Sequence, residues 1–439
     1  PAMLARGIEL ASRMVIERAA DGKAWYSLVD RLSRAGAHQS WRRAALLALV
    51  RSEAGAAVLQ RALPELLENH AILLRELIRT VLAVEVVPAS AAFSALGVDA
   101  ALIPPNLNIP RGPAWLELIV WLLSLGERTP ATAIPEIVEL YTTFSIGTLG
   151  VTAITPLTTR CLYGWLRLME PRDATSPPSD RPVFWEGLQH EQVQSLKFDL
   201  RSGFVMFSKT TPELAAEYLN AVARSEHNDD LVRSILKMHG TLAQAAPAEL
   251  ADLTAQALIE KLRPRDRYYG HEREKPFTFL DSEFLPTSPA QGPFFDLLVS
   301  SPEDGLALVH QLVDHAIAHG SRGHPPGANA IILALPGAER SFPWTQTYFW
   351  SRSSNYYCVT SALMALEAWG HRRLDAGEAF EAVLSDVLGP VGSAAAYLLV
   401  AVDLIISHWP KSVEVATEFL GCPELLCLDH TRQVHDSVE

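Results

Sequence analysis

The chain has 439 residues, of which 49% are hydrophobic and 8% aromatic, so burial is ample and a disordered chain is excluded. That length exceeds one simple core and predicts two or three domains, or one extended repeat structure. The formal net charge is −13, from 37 basic and 50 acidic residues, which argues against a nucleic-acid binder because such a protein needs a basic footprint.

The N-terminus opens directly in amphipathic helix, with no signal peptide in view. It starts at Pro1 rather than Met, which is read as the mark of a piece of something larger. A proline-rich, polar stretch at 102–113 interrupts the helical texture. The run "AWLELIVWLLSLG" (114–126) is apolar nearly all round and predicts a helix buried on most sides. A short loop leads to "EIVELYTTF" (136–144), giving a helix–turn–helix pair, with Pro135 placed where the first-turn N–H groups lack partners anyway. "MEPRDATSPPSDRP" (169–182) predicts a linker or loop.

Helix-start signals then recur. Thr211, Pro212 and Glu213 form one, and Ser301, Pro302, Glu303 and Asp304 another. Pro247 and Glu249 form a weaker third. The segment 263–294 is irregular and too aromatic for a plain linker, so it should pack on helices; "LRPRDRYYGHEREK" (262–275) is the best local basic patch. "NAIILALPG" (329–337) is the best strand candidate, as an edge strand or hairpin arm. Residues 359–374 predict one helix, and "SAAAYLLVAVDLIISHW" (393–409) a buried helix too short and too interrupted to span a membrane.

The predicted fold is all-α: an irregular α-solenoid of stacked helix pairs carrying irregular aromatic-rich insertions at 263–294 and 320–358. No fixed repeat period emerges. The predicted organisation is an N-terminal helical region at 1–170, a linker at 171–182, a middle helical region at 183–262 and a C-terminal helical region at 263–439.

Catalytic signatures are missing. The chain has no phosphate loop, no Gly-x-Ser-x-Gly elbow, no Ser-x-x-Lys and no strand–GxGxxG–helix unit. Its four cysteines, Cys161, Cys358, Cys422 and Cys427, form no Cys-x-x-Cys pair and no disulfide framework, so a reducing cytoplasm is expected. The cluster His310, Asp314, His315, His319 and His324 offers two imidazoles one helical turn apart, a spacing that suits a metal. The zinc-protease pattern fails there, because Ala316 stands where a general base is needed. The competing reading is a polar helix face that happens to carry histidines. Cys358 and His371 lie thirteen residues apart on one predicted helix, about 20 Å at 1.5 Å per residue, so they form no dyad. Asp403, in a nearly pure hydrocarbon helix, is expected to be paired with an arginine such as Arg372 or Arg373, against the competing reading of a catalytic acid; Glu367 poses the same question.

Residues 341–358, "SFPWTQTYFWSRSSNYYC", hold seven aromatic residues in eighteen. Packing accounts for most of them. Exposed rings beside Arg352 would match interface hot-spot chemistry, which nominates Trp344, Tyr348, Trp350, Arg352 and Tyr356 as partner-binding residues.

The segments 235–259, 293–319 and 361–410 resemble helical regions of large bacterial ATP-binding proteins of the signal-transducing STAND type, including anti-phage defence proteins of the AVAST kind. In that group an effector and an ATPase module precede a helical-repeat sensor that binds a trigger protein. The resemblance covers about the last 200 residues and implies a non-enzymatic sensor or scaffold region. Nucleotide chemistry would then lie elsewhere in the parent protein. The expected partner is a protein, either a phage protein or other subunits of the same assembly, with no nucleic acid, membrane or cofactor. The alternatives are a metal-dependent enzyme built around His310–His324 and a purely architectural oligomerisation domain.

Overall fold

A computed structural model describes residues 2–18, 25, 27, 31, 39–52, 54, 55, 58, 71–84, 86–88, 108–110, 114–170, 188–225, 229–260, 275–321, 330–335, 338–354 and 356–436. These are mostly helical. The predicted linker at 171–182, the basic patch through residue 274, and His324 lie outside the described residues. The chain divides into two compact units, Pro1–Leu214 and Ala215–Glu439.

The first unit contains α1 (Ala2–Arg18), α2 (Gln39–Arg51), α3 (Ala71–Val84), α4 (Ala114–Leu125), α5 (Ile134–Gly147), α6 (Thr155–Met169) and α7 (His190–Met206). A small antiparallel ladder joins β1 (Val86–Pro88) to β2 (Asn108–Pro110). On α3, Leu74, Leu77, Ile78 and Val81 fall three and four apart and are all buried, one apolar stripe turned inward. Each such side chain stabilises the fold by about 1.5–3 kcal/mol on burial. Helix α4 buries Trp115, Leu118, Ile119, Trp121, Leu122 and Leu125 and exposes Leu116 and Val120. Helix α7 approaches α5 and α6 at Gly203, where a Cβ would stand 2.7 Å from Thr142 Oγ1 and 3.1 Å from Leu162 Cδ1.

The sequence places a boundary between 170 and 183, yet α7 belongs with α6 in the first unit. Two contacts explain this. Arg201 donates to both oxygens of Glu170, at 2.9 and 2.8 Å, and the Tyr163 and Phe204 rings pack at 4.9 Å.

The second unit is built from the rest of α8 (Pro212–Arg224), then α9 (Asp229–Leu236), α10 (His239–Ala245) and α11 (Pro247–Leu258). It continues with α12 (Phe294–Ser300), α13 (Pro302–Ser321), α14 (Tyr357–Asp375), α15 (Phe380–Leu388), α16 (Ala396–Ser407), α17 (Val413–Leu420) and α18 (Pro423–Asp436). Helices α8, α11 and α13 begin at Pro212, Pro247 and Pro302, where the sequence puts them. The capping side chains behave differently from expectation. Thr211 Oγ1 is buried without a hydrogen bond, and the Ser301 hydroxyl donates to the Asp304 carboxylate at 2.6 Å.

Helix α16 is the centre of this unit: Ala396 to Ala401, Leu404 and Ile405 are all buried. It crosses α14 at Gly370, where a Cβ would meet Leu404 Cδ1 at 2.8 Å. The strand candidate is a hairpin arm: β3 (Ile331–Leu335) pairs antiparallel with β4 (Ala338–Phe342). Ile331 and Leu333 point inward and Ile332 outward, the period of two expected of a half-buried strand.

Candidate functional site

Two irregular segments far apart in sequence meet at the start of α14. The first is fastened to the end of α11. Phe277 bridges Ile259, Thr278 N–H donates to Leu258 O at 2.8 Å, and Glu260 N–H donates to Pro276 O at 3.1 Å. The Thr278 hydroxyl donates to Ala257 O at 2.8 Å and accepts Leu280 N–H at 3.3 Å, which opens a 3-10 turn over Phe279–Phe284. That turn carries Asp281, whose Oδ1 accepts the Cys358 N–H at 2.7 Å. A carboxylate on the positive end of a nineteen-residue helix is favourable by roughly 0.3–1 kcal/mol. The Phe277 ring then stands edge-on to Tyr356, with centroids 5.5 Å apart, and edge-on to His315 at the same separation.

The second segment is the aromatic stretch. Phe342 ends β4 fully buried. Pro343 O accepts Ala395 N–H at 2.8 Å, which ties the chain to the start of α16. Trp344 takes the left-handed conformation (φ 63°, ψ 52°), unusual for any residue but glycine, and turns the backbone into a 3-10 segment over Thr345–Ser351. Inside that segment Tyr348 is fully buried and its hydroxyl donates to Asp429 Oδ1 at 3.2 Å. Burial and the neighbouring Asp429 push its phenol well above the usual range. Tyr348 is therefore part of the frame and presents nothing to a partner. Trp344, Trp350 and Tyr356 are half-buried. The last two meet edge to face at 5.8 Å and 87°.

Arg352 leaves this segment as an exposed residue, its side chain 32% exposed, and reaches along the surface to α14 and α16. It donates to both oxygens of Glu367, at 2.8 and 3.0 Å, and to Asp403 Oδ2. Asp403 thus has an arginine partner, but it is Arg352 and not Arg372 or Arg373. Arg373 is committed elsewhere: it binds Glu378 and Asp386 and lies over the Trp369 ring at 4.4 Å. Burial pushes the Asp403 carboxyl up to about 6; Arg352 opposes that rise and Glu367 adds to it. Burial works against the charge on Arg352, but hydrogen bonds to Glu367 and the charge of Asp403 outweigh it and hold the guanidinium above its ordinary value.

The described histidines of the cluster, His310, His315 and His319, form no metal-binding group. His315 Nε2 lies 2.8 Å from Pro276 O, so that nitrogen carries the proton and is spent on a carbonyl. His310 packs on the Tyr397 ring at 4.9 Å, and burial lowers its pKa. Among the described residues no group of three or more His, Cys, Asp or Glu side chains could hold a metal ion. Cys358 is fully buried, and burial with Asp281 raises its thiol well above the usual value, so it is no nucleophile. His371 instead faces His408, Nδ1 to Nε2, at 2.9 Å.

Some polar sites escape sequence reading. Arg340 of β4 donates to Gly389 O at 2.7 Å, Pro390 O at 2.8 Å and Leu388 O at 3.3 Å, closing the carbonyl end of α15. In the first unit a cleft of about 460 Å³ is lined by Arg79, Glu136, Glu139, Thr142, Asp199 and Ser202, among others. Burial raises both Glu139 and Asp199, and the charges of Glu136 and then Asp199 add to the rise at Glu139. Glu136, beside them, accepts Arg75 and Arg79 at 2.8 and 2.7 Å. The described lining holds no histidine, cysteine or lysine to complete an acid–base or nucleophilic set. Comparison with protein-family models and with curated proteins gives no match.

Proposed function

We propose that the chain is a non-enzymatic helical scaffold or sensor region that binds a protein partner through its aromatic segment. The observation that carries this reading is the Trp350–Tyr356 pair: two large half-buried rings, locked edge to face, on a turn anchored from below by Tyr348 and Arg352. Such rings lose little conformational freedom on binding, which is why aromatic anchors dominate interface energetics. Trp344, on the same segment, belongs to the same surface, whereas Tyr348 and Arg352 act by holding the frame. The helix pairs would stack as an irregular α-solenoid with this segment as an insertion. The resemblance to STAND-type defence proteins fits a cytoplasmic sensor whose trigger is a phage protein or a neighbouring subunit.

The test uses the immobilised chain to capture proteins from bacterial lysates, with and without phage infection. A doubly substituted Trp350→Ala, Tyr356→Ala chain serves as comparison. The expected result is a captured protein that the substituted chain loses while its circular-dichroism melt stays cooperative. Equal capture by both chains removes this surface from consideration.

A further inference from the structure

Two histidines far apart in sequence stand nitrogen to nitrogen within the second unit. His371 lies in the last turn of α14, and His408 is the residue that closes α16. Their facing atoms, His371 Nδ1 and His408 Nε2, are 2.9 Å apart. The ring centroids are 5.1 Å apart and the planes differ by 33°, so the rings meet by their edges and not by their faces. Both residues are half-buried and stay within reach of solvent. They differ in this from the histidines of α13, where His315 is spent on a carbonyl and His310 packs on an aromatic ring.

One proton holds an imidazole pair at this distance: one nitrogen donates and the other accepts, because two imidazolium rings would repel. Burial first, then the charge of His371, and last that of Lys411 lower the His408 pKa; Asp375, one helical turn beyond His371, opposes them. His408 is therefore neutral at physiological pH, the form in which imidazole binds a metal. The spacing suits a shared ion. Imidazole nitrogens bound at about 2.0–2.1 Å stand roughly 2.9 Å apart across a right angle and roughly 3.4 Å apart across a tetrahedral one. The pair already has the lower separation, and an opening of about half an ångström reaches the upper. The electrostatics agree. Both histidines sit at helix C-termini, where the partial negative charge of the last carbonyls favours a cation. Asp375 adds a full negative charge, against the positive charge of Lys411.

We infer that His371 and His408 together bind one borderline transition-metal dication, of the class of Zn²⁺, Cu²⁺ and Ni²⁺. Two nitrogen donors do not suit Mg²⁺ or Ca²⁺, which take oxygen. When the ion binds, the imidazole that held the shared proton moves it to its outer nitrogen. Both facing lone pairs then go to the metal, and no net proton is lost. The ion's other positions fall to water and, after rotation of its exposed side chain, to Asp375; no third ligand is preset among the described residues. The bound ion clasps the end of α14 to the end of α16. This site is separate from the aromatic segment.

The test titrates Zn²⁺ into the full chain at about pH 7.5, in competition with a chelating dye. A single equivalent is expected to bind and to raise the melting temperature. His408→Gln removes a ligand but keeps a hydrogen-bonding side chain; it should weaken binding at least about tenfold and abolish the rise in melting temperature. His319→Ala should change neither. Binding should fall away from about pH 7 to about pH 5.5, as the imidazoles take up protons. A second measurement needs no substitution: the paramagnetic resonance of a single bound equivalent of Cu²⁺ should show coupling to two nitrogens. The Trp350→Ala, Tyr356→Ala chain should bind metal as the unsubstituted chain does, so failure here and failure of the aromatic surface are distinguishable. Three results would overturn the inference: no saturable binding of either ion, equal binding by the unsubstituted and His408→Gln chains, which marks an adventitious ion only, or a Cu²⁺ signal without two nitrogens.

Discussion

Asp403 offers the sharpest test of the frame beneath the aromatic segment. The groups facing it come from three elements: Arg352 and Tyr348 from the 3-10 segment, Glu367 from α14, and Asp429 and Arg432 from α18. Three carboxylates share two guanidiniums, so one negative charge is left without a dedicated cation. Burial and this deficit together explain why the Asp403 carboxyl rises to about 6. The folded value lies above the unfolded one, near 3.9. Between those values the native chain keeps a proton that the unfolded chain has lost. The resulting stability is whole below about pH 4 and is lost as pH rises through about 6. Two pKa units correspond to a ceiling of about 3 kcal/mol. The Asp403 side chain is 22% exposed, so solvent screening reduces this to about 1–2 kcal/mol. Asp403→Asn removes the titration and keeps the shape. Urea unfolding of both chains, followed by tryptophan fluorescence from about pH 4 to about pH 7, gives the difference in stability, in which titrations common to both chains cancel. Wild type minus variant is expected to fall by about 1–2 kcal/mol across that range. A flat difference, or one that rises with pH, would refute the reasoning, since a rise means that Arg352 outweighs burial.

Other substitutions probe the elements that hold the site. Gly389 has φ 69°, and a Cβ there would stand 2.3 Å from His310 Cε1; Gly377 has φ 90° with open space around it. Gly389→Ala should therefore cost clearly more than Gly377→Ala, whose cost is the backbone term of about 1–2 kcal/mol, and equal melting points would contradict this. Arg340→Met strips a charged donor from three carbonyls at the end of α15 and should cost about 1–2 kcal/mol; hydrogen exchange should rise first in β4 and around Gly389. Cys358 should resist alkylation in the native chain and react only in denaturant, and fast native labelling would mean its burial is wrong. At Trp344, glycine should be better tolerated than alanine by about 1 kcal/mol, because φ 63° suits glycine alone; a calorimetric order of alanine above glycine would deny the strain.

Local chemistry made part of this legible. Proline starts α8, α11 and α13 because its missing N–H and fixed φ suit a first turn, and that requires no distant residue. The long helix around 359–374 and the buried helix carrying Asp403 follow from apolar content alone. What failed to show was the identity of distant partners. Asp403 announced its need for a cation, yet Arg352 lies 51 residues away in a segment with no 3.6-residue period. The two nearer arginines on α14 were no guide, because Arg373 is drawn to Glu378 and Asp386. Tyr348 looked like its aromatic neighbours; only Asp429, 81 residues on, decides that it points inward. Asp281 sits in an irregular stretch where one carboxylate among polar residues gives no sign that it will cap α14.

The partition inside the aromatic segment follows from which groups can be satisfied where. A buried phenol and a partly exposed guanidinium both need acceptors, and the unit supplies them as Asp429 for Tyr348 and as Glu367 and Asp403 for Arg352. An indole needs a single donor contact, which water at the surface provides, so Trp344 and Trp350 can stay at the boundary at little cost. Tyr348 then fixes the turn from within and Arg352 from its exposed end, and the left-handed Trp344 survives because buried Phe342 and Tyr348 hold the chain on both sides of it. Rings held this way are already ordered before any partner arrives. Little conformational entropy remains to be lost from the Trp350–Tyr356 pair, which is what the proposed recognition of a partner would require of it.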